Sequence, residues 1–185
     1  LYQLIQKYLK FVHLQERHLR QLPQQEMFGE SLTDLVAATT ETVLEAYNRL
    51  DDLKISLDES MAIAIGSQDC QQLIEELVDN AAKFSDAGTP IHLQIFAKDD
   101  QMHVVLQDQG RGMSTAELAN IGAYQQFNRE QFEQQGAGLG LAIAQLITQL
   151  YHGHLAIHSE INEGTTVHAS FPHDFKNPTT SEPTD

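Results

Sequence analysis

Glu76-Leu77-Val78-Asp79-Asn80-Ala81-Ala82-Lys83-Phe84-Ser85 is the segment around which the rest of this 185-residue chain is organised. Reading back from it, Cys70, Leu73, Ile74, Leu77, Ala81 and Phe84 recur every three or four residues, the spacing of a helix with one apolar face. Ser67 or Asp69 supplies a capping side chain, so a helix is predicted from there to about Phe84. Glu76, Asn80 and Lys83 stand at i, i+4 and i+7, sharing a face roughly 90° round from the apolar stripe at ~100° per residue. A carboxylate, an amide and an ammonium would then flank the core side by side. An amide oxygen suits a Mg2+ ion whose other ligands are water and phosphate oxygens, and a lysine offers phosphate a point charge. An ordinary solvated flank would carry the same residue types.

C-terminal to this helix, Ile91, Leu93 and Ile95 alternate, Asp99-Asp100 supply a turn, and Met102, Val104 and Leu106 alternate again up to Asp108. Asp108-Gln109-Gly110-Arg111-Gly112-Met113 follows at once. A carboxylate at a strand end can accept a hydrogen bond from an exocyclic amine such as that of adenine, and Gly110 and Gly112 let backbone approach a flat ring. A plain turn would also satisfy that pattern. Ser114 and Glu117 form a capping box for a short helix, and residues 124–135 are a polar, Gln-rich stretch predicted as a mobile loop. Gly136-Ala137-Gly138-Leu139-Gly140 then opens a helix carrying Leu141, Ile143, Ala144, Ile147 and Leu150 and closing at Gly153. Glycines at a helix start leave N–H groups facing an anion, although a glycine-rich hinge looks similar and neither the P-loop nor the dinucleotide pattern fits. Strands over residues 155–159 and 165–171 pair across Asn162-Glu163-Gly164, placing the Thr165 hydroxyl where it can bond a base, or simply where a hairpin enters a strand.

N-terminal to the quoted segment, Leu53, Ile55 and Leu57 read as a strand, and Met61, Ile63 and Ile65 as another short one. Ser31 with Asp34 caps a helix whose apolar positions are Leu32, Leu35, Val36, Val43, Tyr47 and Leu50. Residues 1–22 form one amphipathic helix, 23–29 a polar linker opened by Pro23, 30–175 the main domain, and 176–185 a disordered Pro/Thr/Ser/Glu-rich tail. The mixed order of elements predicts an α/β two-layer sandwich: a mixed, mostly antiparallel sheet with helices on one face, preceded by the amphipathic helix.

Composition narrows the function classes. Eleven Lys and Arg against 26 Asp and Glu give a formal net charge of -15, which argues against nucleic acid as a partner. A single cysteine, Cys70, makes no internal disulfide and reads as a small core residue, and no run approaches the ~20 apolar residues of a membrane helix. The expectation is a cytoplasmic domain, of a parent that is either soluble or membrane-attached. Because the chain begins at Leu1 with neither an initiator methionine nor a signal pattern, it is also expected to be a piece of a longer protein.

In this order the motifs resemble the catalytic ATP-binding domain of sensor histidine kinases, in the superfamily shared with gyrase, MutL-type proteins and heat-shock chaperones. Residues 76–85 resemble its N box, 108–112 and 136–140 its two glycine boxes, 164–166 its last motif, and Tyr124-Gln125-Gln126-Phe127-Asn128-Arg129 its F box, with tyrosine and glutamine at two altered positions. The resemblance implies that Asn80 holds Mg2+ against the phosphates of ATP and that Glu76 polarises the attacking group or orients a water on Mg2+. It implies that Lys83 touches phosphate, that Asp108 reads the adenine amine, and that Gly110 and Gly112 wall the base pocket. Gly136, Gly138, Leu139 and Gly140 would receive phosphates, Thr165 would bond the base through water, and Phe127 and Arg129 would belong to a lid over residues 113–135. Residues 1–9 resemble the second helix of the dimerisation and phosphoacceptor hairpin.

The implied partners are ATP, an acceptor histidine upstream on that hairpin, a response-regulator receiver domain, and a second copy in a homodimer. His13 and His18 are poor acceptors: 80 − 18 = 62 residues between His18 and Asn80 leave no room for the rest of a hairpin. His152, His154, His158 and His168 lack the cysteine and carboxylate neighbours of a metal site. A non-catalytic nucleotide-binding module that docks a response regulator, and a serine kinase of the anti-sigma type, are the alternatives.

Overall fold

The computed structural model describes residues 2–20, 32–58, 65–123 and 138–172. The predicted linker over 23–29, strand residues Met61 and Ile63, the loop over 124–135 and the tail over 176–185 lie outside the described residues. Strands β1 (Leu53–Leu57), β2 (Ile91–Lys98), β3 (Gln101–Asp108), β4 (His154–Glu160) and β5 (Gly164–Pro172) form one sheet in the order β1-β2-β3-β5-β4. Only the β1–β2 pair is parallel; the other three pairs are antiparallel, as the hairpin spacing predicts.

Two-residue alternation sends Ile91, Leu93 and Ile95, Met102, Val104 and Leu106, and Val167, Ala169 and Phe171 to one buried face. Helices α3 (Ser67–Phe84) and α5 (Gly138–Leu150) touch each other and this sheet, while α2 (Leu32–Ala46) packs on α3 and α1 (Tyr2–Leu19) on α5. Helix α4 (Thr115–Ala123) completes the described elements. The stripe Cys70, Leu73, Ile74, Leu77 and Ala81 is buried as its spacing requires. Burial holds the Cys70 thiol up at about 12, so it is an inert core group. Asp99 and Asp100 both take positive φ (51° and 57°), the backbone that a two-residue hairpin turn demands. The Ser114–Glu117 box is also present: Ser114 N–H donates to Glu117 Oε2 at 2.8 Å and Glu117 N–H to Ser114 Oγ at 3.2 Å.

Two local expectations change. Helix α2 stops at Ala46, because Asn48 adopts left-handed backbone (φ 55°) and Arg49 N–H turns back to Leu44 O at 2.9 Å; Tyr47 and Leu50 therefore fall outside the helix and are exposed. Neither Ser67 nor Asp69 caps α3: Gly66 holds the cap position without a side-chain bond. Asp69 lies inside the first turn, buried, where Arg17 grips both its oxygens at 2.7 Å and Tyr151 Oη–H donates at 2.6 Å.

Arg49 is the main polar tie inside the domain. Its buried guanidinium donates to the carbonyls of Ala82, Ser85, Asp86 and Thr89 at 2.8–3.0 Å and to Asp52 Oδ2 at 2.7 Å, closing the C-terminal end of α3. Removing it strands several carbonyls away from water, so Arg49→Ala should lower stability by about 3 kcal/mol, measured by denaturant unfolding. Arg49→Lys should recover little of the loss, because an ammonium cannot span that fork.

Helix α1 is fastened to α3 by ion pairs. Lys7 Nζ lies 2.8 Å from both Glu76 Oε2 and Asp79 Oδ2, and Tyr47 Oη donates to the other Asp79 oxygen at 2.6 Å. Burial pushes the Asp79 carboxyl up, but the bonds from Lys7 and Tyr47 outweigh it and hold it below its ordinary 3.8. Burial likewise pulls the Lys7 ammonium down, and its bonds to Asp79 and Glu76 leave it net above 10.5. The Asp79 contribution is therefore present above 3.8 and lost as pH falls through its lower folded value; the Lys7 contribution is present below 10.5 and lost as pH rises through its higher one. The stability difference between the unchanged chain and Lys7→Ala should shrink below pH 3.8 in denaturant unfolding. A difference that stays constant across that range would contradict this assignment.

Candidate functional site

Where β3 ends, Asp108 is turned into a cleft between α3 and the sheet, with a residue exposure of only 9%. Burial pushes its carboxyl above the usual range; backbone bonds from Gly110 and Thr165 pull the other way without cancelling it. The Gly110 N–H donates to Asp108 Oδ1 at 2.8 Å. Leu77 and Ala81 of α3, Leu106 and Val167 of the sheet, and Met113 and Leu141 form the walls. The space between these walls, with the solvent at its open mouth counted in, is about 470 Å³. An apolar slot with one buried acceptor suits a flat ring bearing an amine.

Thr165 shares this cleft with Asp108. Ser159 Oγ donates to Gly164 O at 2.8 Å and accepts Met113 N–H at 2.9 Å, so the 2.9 Å contact to Thr165 Oγ1 takes its proton from threonine. The Thr165 oxygen keeps its acceptor capacity. Gly112 also lines the cleft, in left-handed backbone (φ +62°) where any Cβ would strike the Glu160 carbonyl. Gly110 is placed differently from the sequence expectation: it backs onto the Phe84 carbonyl, next to the bond from Arg111 N–H to Phe84 O at 3.0 Å, and is not among the lining residues. The loop after β3 is thus stitched to the end of α3.

Asn80 also lines the cleft, and the first turn of α5 presses on it and on Glu76. A Cβ at Gly140 would stand 2.9 Å from Asn80 Nδ2 and 3.0 Å from Glu76 Oε2, so glycine is needed for this close approach. Asn80 Nδ2 is buried without a hydrogen-bond partner. A buried amide N–H without a partner beside a helix N-terminus fits a phosphate oxygen, and the carbonyl oxygen of the same Asn80 amide is of the type that ligates Mg2+. Among the described residues no three His, Cys, Asp or Glu side chains converge on a metal position, so the cation would take its remaining ligands from water and phosphate.

Gly138 and Leu139 occupy the first turn of α5, with Leu139 buried. Lys83 is exposed, its Nζ 5.3 Å from the centroid of the Phe84 ring that Arg111 also approaches at 5.1 Å. Phe127, Arg129 and Gly136 lie outside the described residues. Glu76 is not on a solvated flank, the alternative that its residue type allowed: it is only 2% exposed, covered by α1 through Lys7. Lys7, Ser159 and Arg49 were missed in the sequence, since none lies within 30 residues of the group it serves in the site except Ser159, which sits in an ordinary hairpin. The charged residues Lys7, Lys10 and Arg17 on the first helix are the signal in the sequence that α1 would pair with acidic side chains.

The comparisons agree with this geometry. Residues 66–174 match the family model described as histidine kinase-, DNA gyrase B- and HSP90-like ATPase. The chain is 30% identical over 145 residues to the sensor histidine kinase RppB of Synechocystis sp., covering 76% of this chain and 32% of that protein. It is 32% identical over 103 residues to the histidine protein kinase DivJ of Caulobacter vibrioides, covering 55% and 17%. The chain spans a third or less of the length of these curated relatives. Among solved structures, the Acinetobacter baumannii histidine kinase AdeS superposes with a TM-score of 0.62 at 19% identity, over 90% of this chain and 77% of that one. Full-length ShkA, solved in complex with AMPPNP, gives 0.65 at 20%, over 92% and 35%. At those identities the superpositions show the fold alone. With the family model spanning more than half of its residues and the cleft built from the matched segments, the chain belongs to the histidine kinase-, DNA gyrase B- and HSP90-like ATPase family.

Proposed function

We propose that this chain is the ATP-binding catalytic domain of a two-component sensor histidine kinase, transferring the γ-phosphoryl group of ATP to a histidine on a helical hairpin upstream of it. The observation that carries the proposal is one cleft lined by both the buried Asp108 acceptor and Asn80, whose amide lies against Glu76 and the Gly140 turn of α5. That pairing of groups matches a nucleotide, which has an amine-bearing base at one end and phosphates at the other.

In this role Asp108 accepts the adenine amine, and Thr165 completes the bonding round the base. Backbone N–H groups at the start of α5 receive phosphate oxygens, helped by the helix dipole. Asn80 would hold Mg2+, which neutralises charge on the phosphates. Glu76 polarises the acceptor imidazole as its nitrogen bonds to phosphorus and the bond to the bridging oxygen of ADP breaks. Little covalent chemistry is asked of the protein, so rate depends on positioning and charge. The receiver domain of a response regulator is the onward partner, and the parent works as a homodimer on the cytoplasmic side. No helix among the described residues is long and apolar enough to cross a membrane.

Calorimetry with a non-hydrolysable ATP analogue and Mg2+ should show binding by the unchanged chain, weakened on the order of tenfold or more by Asp108→Asn, which removes a charge-assisted acceptor. With labelled ATP and a separately supplied histidine-bearing hairpin, Glu76→Gln should retain analogue binding and lose transfer by about 10²-fold. Binding without any transfer by the unchanged chain would count against catalysis and leave a nucleotide-sensing module.

A further inference from the structure

The face of the sheet turned away from α3 and α5 gathers histidines. The alternation that buries Ile91, Met102 and Val167 turns their neighbours His92, His103 and His168 the other way, and the β4–β5 register sets His154 and His158 on that same face, five of the chain's nine. Lys54 and Lys98 share the face, and Glu160 is the one carboxylate among its strand residues; Asp99 and Asp100 turn the corner beyond Lys98. In a chain with a net charge of -15, these rings stand where carboxylates are scarce. His168 is at the centre. Val105 of β3 and Ala156 of β4 stand directly opposite it, and two residues along those strands lie His103, His154 and His158, its diagonal neighbours.

One pair of these rings is bonded. His103 Nδ1 and His168 Nε2 are 2.9 Å apart with their ring centroids at 5.1 Å, so the imidazoles meet end on, and Phe96 stacks on His103 at 5.1 Å and 21°. His103 Nε2 lies 3.2 Å from Lys98 O. A carbonyl only accepts, so that nitrogen carries the hydrogen; Nδ1 of the neutral ring is then bare, and the hydrogen between the rings belongs to His168 Nε2. His168 Nδ1 can take one further proton with the bond kept. A second proton, on His103 Nδ1, sets N–H against N–H and parts the rings. Burial of His168 opposes its charging, and positive charge on His103, His154 or His158 opposes it further, which holds its pKa below the ordinary 6.5. The stability tied to the neutral ring is therefore present above 6.5 and lost as pH falls through the lower folded value.

We propose that this cluster is an acid-sensing element of the sheet: the His103–His168 bond joins β3 to β5 while the rings are neutral, and protons gathered on the surrounding imidazoles break it, so that the domain loses stability as the solution turns mildly acidic. The element lies on the opposite face of the same strands from Leu106 and Val167, which wall the cleft. It uses none of the groups assigned to the nucleotide and stands whether or not the chain is a kinase.

The test follows denaturant unfolding at about pH 7.5 and about pH 5.5, on either side of the ordinary imidazole value, for the unchanged chain, His168→Gln and His13→Gln. Glutamine at 168 keeps an N–H for His103 Nδ1 and takes no proton, while His13→Gln removes an exposed titrating ring on α1, away from the sheet. The unchanged chain and His13→Gln should lose the same stability between the two pH values, and His168→Gln about half as much. Imidazole nitrogen chemical shifts of the unchanged chain give a reading that needs no variant: at about pH 7.5 His103 should show a bare Nδ1 and a protonated Nε2, and His168 should charge at lower pH than a free histidine. Three results overturn the proposal: His168→Gln losing as much stability as the unchanged chain, His13→Gln losing as little as His168→Gln, or His103 and His168 titrating independently at the ordinary value of about 6.5.

Discussion

Burial of the α3 apolar stripe against the sheet is the constraint on which everything else in this molecule depends. Cys70, Leu73, Ile74, Leu77 and Ala81 have one way to leave water together, and taking it fixes the rotation of the helix. Once that rotation is set, Glu76 and Asn80 face the start of α5, and Leu77 and Ala81 become a wall of the cleft. The Arg49 guanidinium then fixes the C-terminal end of the same helix, and the loop after β3 ties to Phe84. One packing decision thus brings a buried acceptor, apolar walls and an unpartnered amide to the same cleft.

The charge of -15 poses a problem for an acidic ligand, and the fold meets it locally. Several carboxylates of α3 and of the cleft are not left free. Asp69, Asp79 and Glu76 are held by Arg17, Lys7 and Tyr47, while Asp108 is buried and bonded to backbone N–H groups. Helix N–H groups at the start of α5 add positive potential without adding a side-chain charge. The acidic surplus is therefore kept from acting at the phosphate end, and part of the means is α1, whose cations are few in a chain with only eleven Lys and Arg.

What could be read in the sequence was local. The β2–β3 hairpin showed through period-two alternation and an Asp99-Asp100 turn, α3 through its stripe, and α4 through its capping box, because each depends on neighbours a few residues apart. The order of motifs added the family and the cleft residues Asn80, Asp108, Gly112 and Thr165. Interactions between distant segments stayed hidden. Nothing near Glu76 says that a lysine 69 positions earlier will cover it, and nothing near Asp69 announces that it will be buried under Arg17 and Tyr151. The early end of α2 was missed for a smaller reason: the apolar positions Tyr47 and Leu50 continue the helical period past Asn48, whose left-handed backbone breaks it.

The central claim is that one cleft takes a nucleotide in one direction, base at Asp108 and phosphates at α5. A hydrogen-exchange footprint of the bound ATP analogue with Mg2+ tests it most directly. The account predicts slowed exchange at the loop following Asp108 and at the first turn of α5, with the outer strand β1 unaffected. Protection confined to β1 or to the outward face of the sheet, with the loop and the α5 start unchanged, would contradict it.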